Sequence, residues 1–253
     1  MLALISPAKT MRSDVDVCTE LTSARFAQPT AEIASAMLSY SASELESIFK
    51  VSPAIATQLR ARFNAFHDPL LPATAAIDAY DGVVYKHLKG DGLTAPQREY
   101  LQQKVRISSL LYGLLRPLDG VKPYRMEGFV RLSGTDSRID NFWRNYQTQT
   151  LIDDVMATGG ELLYLASAEE RNAFHWREVK KQVRVIDFQF LQPKGDKLRQ
   201  VVIYTKMARG EMIRFMMENN LQDPEQLKAF EWGGYRYNHD LSTTDTWVWL
   251  MDC

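Results

Sequence analysis

Cysteine is nearly missing from this chain: only Cys18 and Cys253 occur, too few for a disulfide framework and without metal-ligand spacing. That usage fits a reducing compartment, and the expectation is a cytoplasmic protein. Histidine is as sparse. His67, His87, His175 and His239 stand alone in sequence, and no HxxxH, CxxC or GxSxG pattern occurs, so metal centres and serine-hydrolase schemes lack their residues. No metal, no cofactor and no catalytic residue is assigned from the sequence, which leans towards a binding protein rather than an enzyme. Cys18 lies between Asp16 and Glu20, whose negative charge raises a thiol pKa and argues against a reactive thiolate. Long apolar runs are absent as well. Nothing approaches the ~18 residues of a membrane span, and Met1 to Pro7 has neither a basic start nor an apolar stretch long enough for a signal sequence. The expectation is a protein neither exported nor membrane-spanning. Repeats, low-complexity tracts and Ser/Gly-rich linkers are missing too, which leaves no boundary at which to divide residues 1–253.

What is present suits one compact core: 253 residues with 45% hydrophobic content. The net charge of −1 argues against a generic polyanion binder, but the average hides a segregation. Residues 104–131 hold six Lys/Arg against two Asp/Glu, and residues 171–214 hold eleven against four, so these stretches carry +4 and +7 and the remainder carries −12. Brought together, they would make a cationic cleft on an acidic body, a local attractor for a polyanion. Interleaving of the same charges on solvated faces is the competing reading.

The periodicities mix helix and strand without regular βαβ alternation, which predicts an α+β fold: one compact mixed domain, a central mixed sheet and surrounding helices. Leu2–Ile5 reads as a short buried strand ending in Ser6-Pro7, which places Lys9 just past a strand end. Residues 24–40 and 43–66 read as helical, with Ser43 and Ser52 as N-caps and Pro53 at a first helical position. A helix capped by Thr94 is predicted over 94–106, and another over 139–156 with Trp143 and Tyr146 on its apolar side. Leu162–Leu165 reads as a buried strand, Val183–Leu191 and Leu198–Thr205 as a hairpin, Ala208–Asn219 as a helix, and 235–237 and 246–250 as closing strands.

Three constellations carry candidate chemistry. In Ser109–Glu127 an apolar run ends in closely spaced cations and prolines. Pro117 and Pro123 bias Arg116 and Lys122 towards extended geometry, which holds Arg116, Lys122 and Arg125 ready for phosphate or carboxylate. Asp119 and Glu127 flank them as candidate orienting acids. The second constellation is Lys206 and Arg209, three residues apart on a helix face and expected in the first turn after a strand, where free backbone N–H groups favour an anion. The third is the pair of helices over about 44–66, a helix-hairpin-helix-like unit with Lys50, Ser52 and Arg60 around its turn. Such turns offer amides to a DNA phosphate, although Ser52-Pro53-Ala54 stands where a glycine is usual. An ordinary αα-hairpin is the plainer alternative.

Ile5-Ser6-Pro7-Ala8-Lys9-Thr10, Leu111-Tyr112-Gly113 through Leu115-Arg116-Pro117-Leu118-Asp119, Pro123-Tyr124-Arg125, and Lys206 with Ala208-Arg209-Gly210 together resemble the YaaA family of bacterial peroxide-stress proteins. Several motifs in one order, from the first residue almost to the last, carry the resemblance. It implies a single mixed α/β domain with an electropositive cleft, a helix-hairpin-helix element, binding of double-stranded or distorted DNA, and protection against hydrogen peroxide with lowered free iron. The family's basic positions fall on Lys9, Arg116, Lys122, Arg125, Lys206 and Arg209. The chain departs from the family pattern at Ala168-Glu169-Glu170 and at Gly128. The partner expected is double-stranded or structured DNA, with no membrane and a monomer favoured. An alternative is an enzyme acting on a small phosphorylated or nucleotide-like substrate in the same anion pocket.

Overall fold

A computed structural model describes residues 1–12, 20–90, 92–132 and 137–252; Cys18 and Cys253 lie outside them. The chain opens with β1 (Leu2–Ile5), four apolar residues buried on both faces, the pattern of a central parallel strand. Helices α1 (Ala27–Leu38), α2 (Ala42–Phe49) and α3 (Pro53–Ala65) follow. Then β2 (Thr74–Ala75), α4 (Ala76–Ala79), α5 (Val83–Lys89) and α6 (Ala95–Lys104) lead to β3 (Val105–Ser109). Two short strands, β4 (Gly113–Leu115) and β5 (Gly120–Val121), precede α7 (Ile139–Ala157) and β6 (Glu161–Tyr164). After a 3-10 turn (Glu170–Ala173) come α8 (Trp176–Gln182), β7 (Arg184–Lys194), β8 (Lys197–Arg199) and α9 (Val202–Glu218). A second 3-10 segment (Pro224–Ala229), β9 (Tyr235–Tyr237) and β10 (Thr246–Met251) complete the chain.

Eight strands form one mixed sheet in the order β4-β3-β1-β6-β7-β10-β9, with β8 on β7, and helices surround it. Its five middle strands run parallel, while β4, β8 and β9 pair antiparallel. The mixed sheet with surrounding helices is the architecture that the element pattern predicts. The parallel centre is additional, and it matters for function. From β1 the chain goes first to β3 on one side and later to β6 on the other, so the carboxyl ends of β1 and β6 stand side by side at a topological switch point. Open α/β sheets bind ligands in that crevice.

Local chemistry explains most boundaries. The N-cap of α2 is Ser41 rather than Ser43: its hydroxyl accepts from the Glu44 amide, and the Glu44 carboxylate accepts from the Ser41 amide, a complete capping box. Ser52 caps α3 ahead of Pro53, and Thr94 caps α6, as the residue types require. Trp143 of α7 is fully buried and donates from Nε1 to the Leu110 carbonyl at 3.0 Å, whereas Tyr146 is 42% exposed rather than packed inside. Gly113, at φ 71°, lies under Trp143; a Cβ there would meet the indole at 2.6 Å.

One expected boundary is corrected. Val202–Thr205 are helical, not strand, so the β7–β8 hairpin is short on its second side and α9 begins six residues early. The strand preference of Val, Ile, Tyr and Thr spans only about 1 kcal/mol, and packing of Thr205, Ala208, Met212 and Ile213 outweighs it. Gly210 lets α9 press against α5: a Cβ there would sit 2.3 Å from the Val84 carbonyl oxygen. In consequence Lys206 and Arg209 stand past the first turn of α9, and its free amides are not beside them.

Candidate functional site

The crevice is built where β1 and β6 end. Ser6 and Ser167 leave these strands together, and the Ser167 amide donates to Ser6 Oγ at 2.8 Å. The 3-10 turn then carries Glu170 inward, where it is 5% exposed. Its carboxylate accepts from the Ser167 hydroxyl. Burial raises the Glu170 carboxyl above the usual carboxylate range, and the hydroxyls of Ser167 and Ser6 only partly offset this. Tyr80, Tyr124 and Ser109 form a buried hydroxyl chain, with both links at 2.7 Å, and burial pushes Tyr124 up to about 12.

On one side of Ser167 opens a recess of about 460 Å³, lined by Tyr164, Ser167, Arg171, Asp187, Phe188, Gln189, Gln200, Val202, Lys206 and Arg209. Arg171 is held in place there: it pairs with Asp187, and its guanidinium lies 4.0 Å from the Tyr164 ring centroid and 5.0 Å from that of Trp176. Arg209 differs. Its Nε is buried without a partner, and burial lowers its pKa, although a guanidinium remains charged. Arg171 also lines a second recess with Arg144, Arg177 and Lys181. On the other side of Ser167, Glu170 lines a narrow pocket with Lys9, Arg125, Glu127 and Glu169. Glu127, 4% exposed, bridges the Lys9 ammonium at 2.7 Å and the Arg125 guanidinium at 3.2 Å. The first two recesses share Arg171, and the first and third lie on either side of the Ser167–Glu170 bond; this group of recesses, the trough, is lined by the cations Arg144, Arg177, Lys181, Arg171, Lys206, Arg209, Lys9 and Arg125 and by the acids Glu178, Asp187, Glu127, Glu169 and Glu170.

The structure therefore brings Lys9, Arg125, Lys206 and Arg209 to one crevice, with Glu127 between the first two. Arg116 and Lys122 line none of the three recesses. Arg116 is clasped by the fully buried Asp119, from Nε at 3.1 Å and Nη2 at 2.9 Å, and also donates to the Ser23 carbonyl. Lys122 Nζ donates to the Phe66 and Asp68 carbonyls at the end of α3. In the α2–α3 hairpin, Lys50 is exposed at φ 52°, Ser52 is occupied as a cap, and Arg60 donates to the Tyr40 carbonyl at 2.5 Å. Neither line of sequence reasoning picked out Glu170, Arg171 or the cations Lys194, Lys197 and Arg199 of the exposed β7–β8 arm. The charge count over 171–214 contained the signal. It was too coarse to separate Arg184, which pairs with Glu161 and Asp245, from arm cations that pair with nothing among the described residues.

Comparison with known proteins agrees along the chain. The family model of the peroxide stress protein YaaA matches residues 1–241. A UPF0246 protein of Bacteroides thetaiotaomicron is 41% identical over 244 residues, which covers 96% of this chain and 95% of the relative. One from Parabacteroides distasonis is 41% identical over 254 residues, and one from Hahella chejuensis 37% over 257, each covering 100% of both chains.

Proposed function

The chain belongs to the family of the peroxide stress protein YaaA, and on that premise we propose that it binds the phosphate backbone of double-stranded or distorted DNA along the trough, without reading sequence, and so limits oxidative damage to it. One observation carries this reading. Lys194, Lys197 and Arg199 on the exposed β7–β8 arm, and Lys206 and Arg209 on the recess wall of α9, have no acid partner among the described residues and follow one another along a single stretch of chain. An unmatched surface cation is free to displace counterions from a polyanion, and that release drives sequence-independent binding. Three neighbouring recesses, rather than one enclosed cavity, suit a backbone better than a single metabolite. Beside the arm, Leu198, Val202, Ile203 and Tyr204 are each 41–69% exposed, which gives its cations an apolar, partly aromatic neighbour of the kind that packs against sugars and distorted base steps. The α2–α3 hairpin, with exposed Lys50 and Ser52 at its turn, offers a second phosphate contact.

Fluorescence anisotropy of a labelled duplex over a salt series tests the proposal. The variant carrying Lys194→Gln, Lys197→Gln and Arg199→Gln should lower the log–log salt slope by up to about 2.7, at about 0.9 per phosphate contact. No binding at low salt, or a slope that the triple change leaves alone, would overturn it.

A further inference from the structure

On the proposed function the trough would contact phosphodiesters of one negative charge each, yet its central recess carries more charge than one diester can match. Arg171 and Asp187 pair and cancel. Lys206 and Arg209 remain, neither with an acid partner among the described residues, so the recess holds a surplus of about two positive charges. The nearest further acid, Glu170, lies behind Ser167 in a setting whose burial favours its neutral form, and it does not line the recess. Two neighbouring cations, the exposed Lys206 and the part-buried Arg209, on one cavity wall match a dianion. A phosphomonoester is an abundant biological dianion and carries about −1.5 to −2 at neutral pH. The rest of the cavity has a complementary character: the side-chain amides of Gln189 and Gln200 make no hydrogen bond among the described residues, and Phe188 and Val202 supply apolar wall. Paired amides over an apolar wall suit the edge and face of a heterocyclic base. The volume of about 460 Å³ is within the range of small-ligand sites and leaves room beyond a phosphate group.

We infer that the recess between Ser167 and α9 is a specific site for a phosphomonoester attached to a nucleoside, with Lys206 and Arg209 on the dianion and Gln189 and Gln200 at the base. The site depends on the trough being the ligand-bearing face; the charge argument is separate from whether the trough also holds intact DNA. Two sources share this chemistry, a free nucleoside monophosphate and the terminal phosphate of a broken DNA strand.

Calorimetric titration separates them. The probes are adenosine 5′-monophosphate against adenosine, and a nicked duplex with a 5′-phosphate at the nick against the same duplex with a 5′-hydroxyl. The expected result is at least tenfold tighter binding of the phosphorylated member in one pair or both. A gain in the first pair marks a free nucleotide, and a gain in the second a strand end. Lys206→Gln, an exposed substitution, should reduce that gain to threefold or less, and Arg209→Gln should do the same where it folds. Gln189→Ala with Gln200→Ala should weaken the monophosphate at least threefold and leave inorganic phosphate unchanged. Absence of a tenfold gain in both pairs, or a gain that survives Lys206→Gln, overturns the inference. An intact duplex with 5′-hydroxyl ends is run alongside. If it binds while neither pair shows a gain, the monoester site falls and backbone binding stands; if a pair shows the gain while the intact duplex fails to bind, the reverse holds.

Discussion

Removing Asp119 tests whether Arg116 serves the fold or a ligand. The carboxylate has no exposed surface and accepts four hydrogen bonds: from Thr22 Oγ1 at 2.6 Å, the Arg116 amide at 2.8 Å, and Arg116 Nη2 and Nε at 2.9 and 3.1 Å. Asp119→Ala leaves a part-buried guanidinium, a hydroxyl and an amide without their acceptor. Breaking a buried charge pair from one side costs about 3–5 kcal/mol, and because the Arg116 side chain is 29% exposed and keeps the Ser23 carbonyl, about 2–4 kcal/mol is the better expectation. For a chain of this size that corresponds to a fall in Tm of roughly 4–16 °C by scanning calorimetry. The double variant Arg116→Met with Asp119→Ala should recover part of the loss, because no charge is then left unmatched. Arg116→Ala alone should lower stability while the salt slope of DNA binding stays within about 0.3 of the unmodified protein. A Tm within about 2 °C after Asp119→Ala, or a slope lowered by about 0.9 after Arg116→Ala at unchanged stability, would refute the reasoning and return Arg116 to the ligand-facing cations.

Glu170 makes stability depend on pH with a definite sign. Because burial raises its folded pKa, the folded state holds the proton more tightly, so its contribution is full below the unfolded value of about 4.3 and is lost as pH rises through the folded value. Glu170→Gln keeps an acceptor for Ser167 and abolishes that loss; its Tm relative to the unmodified protein should rise as pH increases from about 4 and level off above the folded value, and a difference that is flat throughout or falls contradicts the assignment. Gly210→Ala should lower the urea midpoint, since overpacking against the Val84 carbonyl costs about 1–3 kcal/mol and exceeds the ~1 kcal/mol helix-propensity gain at its upper end; an unchanged or higher midpoint contradicts the close approach of α5 and α9. Trp143→Phe should cost about 1–3 kcal/mol by leaving the buried Leu110 carbonyl without its donor, read as a lower urea midpoint, and loss under about 0.5 kcal/mol would mean that the carbonyl finds another partner.

The parts of the fold legible in the sequence were those set by local chemistry. Leu2–Ile5 announces a buried strand by four apolar residues in a row, and Ser52-Pro53 and Thr94 announce helix starts by satisfying first-turn amides. The parallel centre was not legible, because β1 and β3 are joined through six helices and β6 reaches β1 from the far side, pairings set by packing over long separations. Val202–Thr205 was misread for a related reason: its β-branched run is a local preference that a tertiary contact through Gly210 overrides. At the site, Lys9 at a strand end and the spacing of Lys206 and Arg209 were readable. The pairing that neutralises Arg116 was visible only as a nearby Asp119, and the isolation of the arm cations depends on where the acids fold. Glu170 gave no local signal, since nothing in Ala168-Glu169-Glu170 says which of two adjacent glutamates turns inward.

Hydrogen exchange of the full chain, with and without a saturating duplex at low salt, reads the location of the ligand directly. Slowed exchange over residues 164–171 and 192–209 is the result predicted, because Tyr164, Ser167, Arg171, Gln200, Val202, Lys206 and Arg209 line the central recess and the arm between β7 and α9 carries the cations proposed to hold phosphate. Bound DNA that leaves both stretches unprotected would contradict the trough as the binding face.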